Sequence, residues 1–126
     1  MRYLVDTQIF IWLMEGNKRL ASKHVALLRN PKANIYISIA SIWEMIIKQS
    51  LGRLKIPVDL EGDLQKTGFR VLPVEIPHVL GLKNLPNIHK DPFDRMLVAQ
   101  AKKENLKLIT SDKKIAKYKV PGTMLV

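Results

Sequence analysis

The chain has no cysteine, which excludes disulfides, thiolate metal sites and cysteine nucleophiles at once. Histidine is nearly as scarce: His24, His78 and His89 are far apart and form no paired-histidine motif, so a zinc site would have to be assembled from distant positions. Any bound metal is therefore expected to sit on carboxylate oxygens, which suit Mg²⁺ or Mn²⁺. Long apolar runs are missing too. None reaches the roughly 18 residues of a membrane span, and MRYLVDTQIF places an acid where a signal peptide keeps its apolar stretch unbroken. The expectation is a cytoplasmic protein with no membrane partner. Linkers, internal repeats and low-complexity tracts are also absent. At 126 residues a second core would be hard to fill, so residues 1–126 read as one domain.

Acidic residues are outnumbered, 11 Asp and Glu against 21 Lys and Arg, giving a formal net charge of +10. Such an excess favours a polyanionic partner, nucleic acid above all, through counterion release and steering. Many small proteins are simply basic, so charge alone does not decide this. The excess is uneven: Lys83 to Lys119 holds ten basic residues and only Asp91, Asp94, Glu104 and Asp112 as acids.

Strand-like and helix-like segments alternate. RYLV ends at Asp6 and is followed by the helical QIFIWLM; LASKHVALLR reads as a second helix that stops at Asn30-Pro31. NIYISI is a strand, and ASIWEMIIKQSLG a helix ending at Gly52. After a loop, RLKIP, come a short helix over VDLEGDLQKTG, a strand FRVLPV, a short helix EIPHVLGL and the loop KNLPNIHKDP. DPFDRMLVAQAKKEN follows as a helix with Asp91 as N-cap and Pro92 at its first position, then the strand LKLITSD, a short helix KKIAKY and an edge strand in GTMLV. Five strand segments interleaved with helices predict an α/β fold with a parallel sheet covered by helices.

Four acids stand out by position. Asp6 and Asp112 end strands, Glu44 is read on the first turn of the helix after the second strand, and Asp94 opens the DPFDR helix. All four map to the carboxyl end of the sheet, where open α/β sheets bind ligands. Each has a local explanation. Asp6 and Asp112 have the positions of N-caps, Ser41-Ile42-Trp43-Glu44 has capping-box spacing, Glu44 precedes Lys48 by one turn, and Asp94 sits where a helix dipole favours negative charge. Capping does not require a shared sheet end. If the four converge, their repulsion calls for a cation, and Mg²⁺ or Mn²⁺ held there supports phosphodiester hydrolysis without a protein nucleophile.

YLVDTQIFIW, SIASIWEMIIKQSLGRL, HKDPFDRMLVAQA and LITSD with Tyr118, in this order and spacing, resemble the PIN-domain nucleases, and among them the VapC-type toxins of bacterial toxin–antitoxin modules. The resemblance spans essentially the whole chain. It implies a parallel sheet sandwiched by helices, a metal-binding quartet at Asp6, Glu44, Asp94 and Asp112, and Mg²⁺- or Mn²⁺-dependent endoribonuclease activity. It further implies homodimers and inhibition by a cognate antitoxin. In the mechanism expected, Asp6, Asp94 and Asp112 chiefly hold metal and Glu44 binds metal or positions water.

The neighbours of the quartet divide. Thr7 and Thr110 are candidates to orient a carboxylate or water, although bonding to nearby backbone is the commoner role of such hydroxyls. Asp91 is first a cap and in reserve a metal ligand. Arg95 and Lys48 read as solvated charges or ion pairs with phosphate contact as the alternative. His89 reads as a structural or exposed loop residue rather than a general base, and Trp12, Trp43 and Phe93 as core before base-stacking residues. Three other readings remain: a nucleic-acid-binding module whose acids only cap helices, an inactive partner-binding protein, and a receiver-like phosphoacceptor. The last resembles a pattern with adjacent acids after the first strand, where this chain has Thr7 and Gln8.

Overall fold

A computed structural model describes residues 1–54 and 59–126. Most of the expected loop RLKIP, from Lys55 on, and Val58 at the head of the VDLEGDLQKTG segment lie outside the described residues. Five strands, β1 (Arg2–Val5), β2 (Asn34–Ser38), β3 (Arg70–Leu72), β4 (Lys107–Thr110) and β5 (Met124–Leu125), form one sheet in the order β3-β2-β1-β4-β5, every pair parallel. The helices are α1 (Thr7–Glu15), α2 (Ser22–Arg29), α3 (Ile39–Ser50), α4 (Leu60–Thr67), α5 (Ile76–Gly81), α6 (Pro92–Glu104) and α7 (Lys113–Ala116). The alternation expected from the sequence is thus present, with one addition: the loop before α6 begins with a 3-10 turn over Leu82–Asn84.

Local chemistry sets the helix boundaries. The Asp6 carboxylate accepts the Ile9 N–H at 2.8 Å to start α1, which stops at Gly16 in a left-handed conformation (φ 65°). Asp91 accepts the N–H groups of Phe93 and Asp94, Pro92 takes the first position of α6, and Asn105 ends that helix at φ 56°.

Both faces of the sheet are covered, which is why its inner strands are almost continuously apolar. Side chains alternate across it. Tyr3, Val5, Ile35, Ile37 and Ile109 join Ile9, Phe10 and Leu13 of α1 and Leu28 of α2 on one face. Leu4 and Leu108 join Leu97, Val98 and Ala101 of α6 and Ile115 of α7 on the other. A fully buried Leu or Ile such as Leu4, Ile37 or Leu108 contributes roughly 1.5–3 kcal/mol, so a one-residue slip of register would expose several such side chains at once. Helix α3 packs on both α1 and α6, so it bridges the two layers. Among the described residues no helix is long and apolar enough to cross a membrane.

The strand order places the switch point between β1 and β4: the chain leaving β1 goes to β2 on one side, and the chain leaving β4 goes to β5 on the other. The divergence opens a crevice at the carboxyl ends of these two strands.

Candidate active site

Asp6 follows β1 and Asp112 lies two residues past β4, so the switch point supplies two of the predicted acids. Asp94 comes from the first turn of α6 and Glu44 from α3. All four line one cleft of about 240 Å³, together with Thr7, Gln8, Lys48, Asp91 and Ser111.

Each carboxylate is held by a specific donor. Besides capping α1, Asp6 accepts the Thr110 hydroxyl through its second oxygen at 2.5 Å, and Thr110 in turn accepts the Asp112 N–H at 3.0 Å. Thr7 donates to Glu44 Oε1 at 2.6 Å, and Lys48 Nζ stands 2.7 Å from Glu44 Oε2. Both threonine hydroxyls therefore bond carboxylates rather than backbone carbonyls. The reason is burial: Asp6 and Glu44 are almost inaccessible to water, and a carboxylate there must take its hydrogen bonds from the protein.

Several expectations are corrected. Helix α3 begins at Ile39 with Ser38 as N-cap, so Glu44 lies in the second turn and the Ser41–Glu44 capping box does not form; the buried Ser41 hydroxyl has no protein partner. Arg95 neither points into the acidic cleft nor pairs with an acid. It donates to the carbonyls of Pro86 and Leu82 and to the Tyr118 hydroxyl, and so fastens the loop before α6. Trp43 is 61% exposed and meets Phe93 edge-on at 5.2 Å on the protein surface, whereas Trp12 packs partly buried against the core.

His89, read from the sequence as a structural or exposed loop residue, is partly buried and has partners that the sequence did not indicate. Its Nε2 is 2.9 Å from Asp112 Oδ2 and 3.0 Å from Asp94 Oδ2, while its Nδ1 accepts the Asp91 N–H at 3.2 Å. That acceptor role assigns the proton of the neutral ring to Nε2, where it is shared between the two acids. His89, Asp94 and Asp112 bring ligand atoms within 4.8 Å of one another, with Asp6 and Glu44 elsewhere on the cleft wall. The one signal in the sequence was that His89 stands two residues before the Asp91 cap. A second such group, Glu75, His78 and Glu104, lies away from the cleft. There His78 closes a capping box with Glu75 and pairs with Glu104 at 2.9 Å, which accounts for it structurally.

Comparison with family models matches a PIN domain across residues 3–121. The chain belongs to the PIN domain family. PIN domains are nucleases, so this acid-lined cleft lies in a phosphodiester hydrolase fold. No curated protein sequence matches significantly. Among solved structures, FitAcB from Neisseria gonorrhoeae superposes with a TM-score of 0.70 at 18% identity, covering 98% of this chain and 96% of that one. VapBC2 from Rickettsia felis, bound to a promoter DNA fragment, gives 0.67 at 18% identity, covering 100% and 98%. VapBC-1 from nontypeable Haemophilus influenzae gives 0.66 at 20% identity, covering 100% and 97%. At these identities the likeness establishes that the PIN fold of this chain is that of the VapC-type proteins.

Crowding marks the electrostatics of this PIN domain. Burial pushes the Asp6 carboxyl up to about 6, against the lowering effect of the Thr110 hydroxyl and the Ile9 N–H. Asp94 is pushed up to about 7, first by burial and then by the charges of Asp91 and Glu44, with His89 opposing. For Asp112, burial works upward but is outweighed by the His89 hydrogen bond and the backbone N–H of Lys114, and its pKa ends below the ordinary value. Lys48 is raised, chiefly by its bond to Glu44. Hard carboxylate oxygens, crowded enough to retain protons near neutrality, fit a small divalent cation.

A raised carboxylate pKa means that the folded state holds its proton more tightly than the unfolded chain. The associated stability is fully present below the ordinary value of 3.8 and is lost as pH rises through about 7 for Asp94. In EDTA, wild-type protein should therefore lose thermal stability relative to Asp94→Asn across that window, with the variant melting several degrees higher at about pH 8. Millimolar MgCl₂ should narrow the gap. A melting difference that is flat with pH would remove the crowding account.

Proposed function

We propose that this PIN domain is a divalent-metal-dependent endoribonuclease and the toxin of a type II toxin–antitoxin module. The observation that carries the reading is the gathering of Asp6, Glu44, Asp94 and Asp112 on one cleft at the switch point of the sheet. Asp6, Asp94 and Asp112 would hold Mg²⁺ or Mn²⁺, and Glu44 would either join them or orient the attacking water. A metal bound there supplies polarisation of the phosphate, a water of lowered pKa and stabilisation of the leaving oxygen.

The chain's own groups prepare the site for that chemistry. Thr110 fixes the rotamer of Asp6, and Thr7 and Lys48 fix that of Glu44, so these carboxylates need not reorganise when substrate arrives. Asp91 lines the same cleft and caps α6 through one oxygen, so in this reading it stands in reserve as a further metal ligand beside the quartet. The net charge of +10 favours a polyanionic substrate and would offset the repulsion between the acids and an incoming phosphate.

The toxin role and the antitoxin partner draw support from the shared fold with VapBC and with a toxin–antitoxin complex from Klebsiella pneumoniae, which matches at 21% identity with a TM-score of 0.66. A homodimer draws support from an apolar stripe. Ile39, Trp43 and Ile46 recur along one exposed line of α3, and Ile76, Val79 and Leu80 of α5 are exposed as well. A groove of about 290 Å³ between α3 and α6, lined by Trp43, Phe93 and Met96, gives the stripe relief. With a cytoplasmic location and a single domain, the protein would meet RNA directly and depend on its antitoxin for restraint.

Purified protein should cleave RNA with Mg²⁺ or Mn²⁺ and stop in EDTA. Asp6→Asn should lower the rate by about 100-fold or more while keeping a cooperative melt; full Mg²⁺-dependent activity in that variant would sink the assignment. Light scattering should give wild-type protein a mass twice the chain's 14.4 kDa and Trp43→Glu a monomer's mass. An unchanged dimer in the variant would move the interface elsewhere.

A further inference from the structure

Linked to the acidic cleft by His89 is a second cavity, of about 380 Å³, lined by Asn87, His89, Lys90 and Arg95. Its character is opposite to that of the acidic cleft. Lys90 is exposed, and neither Lys90 nor Arg95 has a carboxylate within ion-pair distance, although every acid of the chain lies among the described residues. His89 links the two: it is one of the residues lining this cavity, and its Nε2 bonds Asp94 and Asp112, which line the other.

The cavity is also pre-formed. Tyr118, itself buried, accepts the His89 N–H at 2.9 Å and an Arg95 N–H at 3.1 Å. Arg95 further donates to Pro86 and Leu82, Leu85 is buried in the core, and Asp91 closes the segment as the cap of α6. A loop tied at that many points holds Arg95 and the backbone carrying Lys90 in place before a ligand arrives, which lowers the ordering cost of binding. Arg95 is spent partly on carbonyls but keeps its full charge, and Lys90 and the Asn87 amide remain to contact an anion.

From this juxtaposition we infer that the Asn87–Lys90–Arg95 cavity is a subsite for a backbone phosphate of the RNA, one that flanks the phosphate being cut at the acidic cleft. The inference rests on the ribonuclease reading. An acidic site that must accept a polyanion benefits from a cationic neighbour, because the flanking phosphate then holds the strand in register while the scissile one is brought against carboxylates and metal. His89 connects the two, lining the cationic cavity and bonding two acids of the cleft. The subsite reads charge and position rather than base identity.

The test uses the intact protein, Mn²⁺ and a short RNA with a single cleavage site, in versions carrying one neutral methylphosphonate at each position flanking the scissile bond in turn. With wild-type protein, one flanking position should raise KM about tenfold with little change in kcat. Lys90→Ala should raise KM similarly on the unmodified RNA and lose further sensitivity at that same position, with the salt slope of binding in EDTA falling by about 1. Lys90→Arg should restore wild-type behaviour. The inference is overturned if Lys90→Ala cleaves unmodified RNA with unchanged KM, or if the variant and wild type respond alike to every methylphosphonate. Absence of any metal-dependent cleavage by the wild type would overturn the ribonuclease reading itself, and the subsite with it.

Discussion

The Asp6 carboxylate ties together the parts of this molecule that function requires to be adjacent. One oxygen caps α1 and the other accepts the Thr110 hydroxyl at the end of β4, 104 residues later in the chain, while the Asp6 N–H bonds the Ile109 carbonyl. The diverging ends of the two central strands are thereby laced by a charged group buried from water. Such a group is costly unless every lone pair finds a donor or a cation. The surrounding polar structure follows from that constraint: Thr110 also takes the Asp112 N–H, Thr7 and Lys48 share Glu44, and His89 bridges Asp94 and Asp112.

Those contacts reduce the repulsion among the acids without abolishing it. The two carboxyls pushed upward, Asp6 and Asp94, are more deeply buried than Asp112, whose neighbours hold it low. Under the proposed metal-dependent reading, a divalent cation in this cleft would offset the cost of that crowding. Tolerance of that cost is expected of a site kept for chemistry rather than for folding, since buried like charges contribute nothing to fold stability.

Around His89 the same loop also carries cationic groups, Lys90 and Arg95, lining a separate cavity. Arg95 is the hinge of this arrangement in a structural sense: it gives up contact with the acidic cleft to hold two carbonyls and Tyr118, and in doing so sets the path on which His89 and Lys90 are presented. One helix start, DPFDR, thus carries a cap, an acid of the cleft and a loop anchor within five residues.

The alternation of strand and helix, the caps at Asp6, Asp91 and Asp112, and the common sheet end of Asp6, Glu44, Asp94 and Asp112 were legible in the sequence. Strand period, Pro and Gly punctuation and capping are written in residues a few positions apart, and parallel topology then sends every strand's carboxyl end the same way. The partners of those acids were not legible. Thr7 and Glu44 are 37 residues apart, His89 and Asp112 are 23 apart, and neither spacing follows from a local rule. Trp43 was misplaced for a related reason: α3 bridges both layers, and its apolar residues outnumber the faces the chain itself can cover, so that part of the helix remains exposed. By itself the sequence determined which groups could do chemistry and at which end of the sheet they emerge. Only the tertiary structure decided which hydroxyl, lysine or imidazole meets each carboxylate, because that depends on how distant segments pack, and packing is set by the whole core rather than by any one stretch of chain.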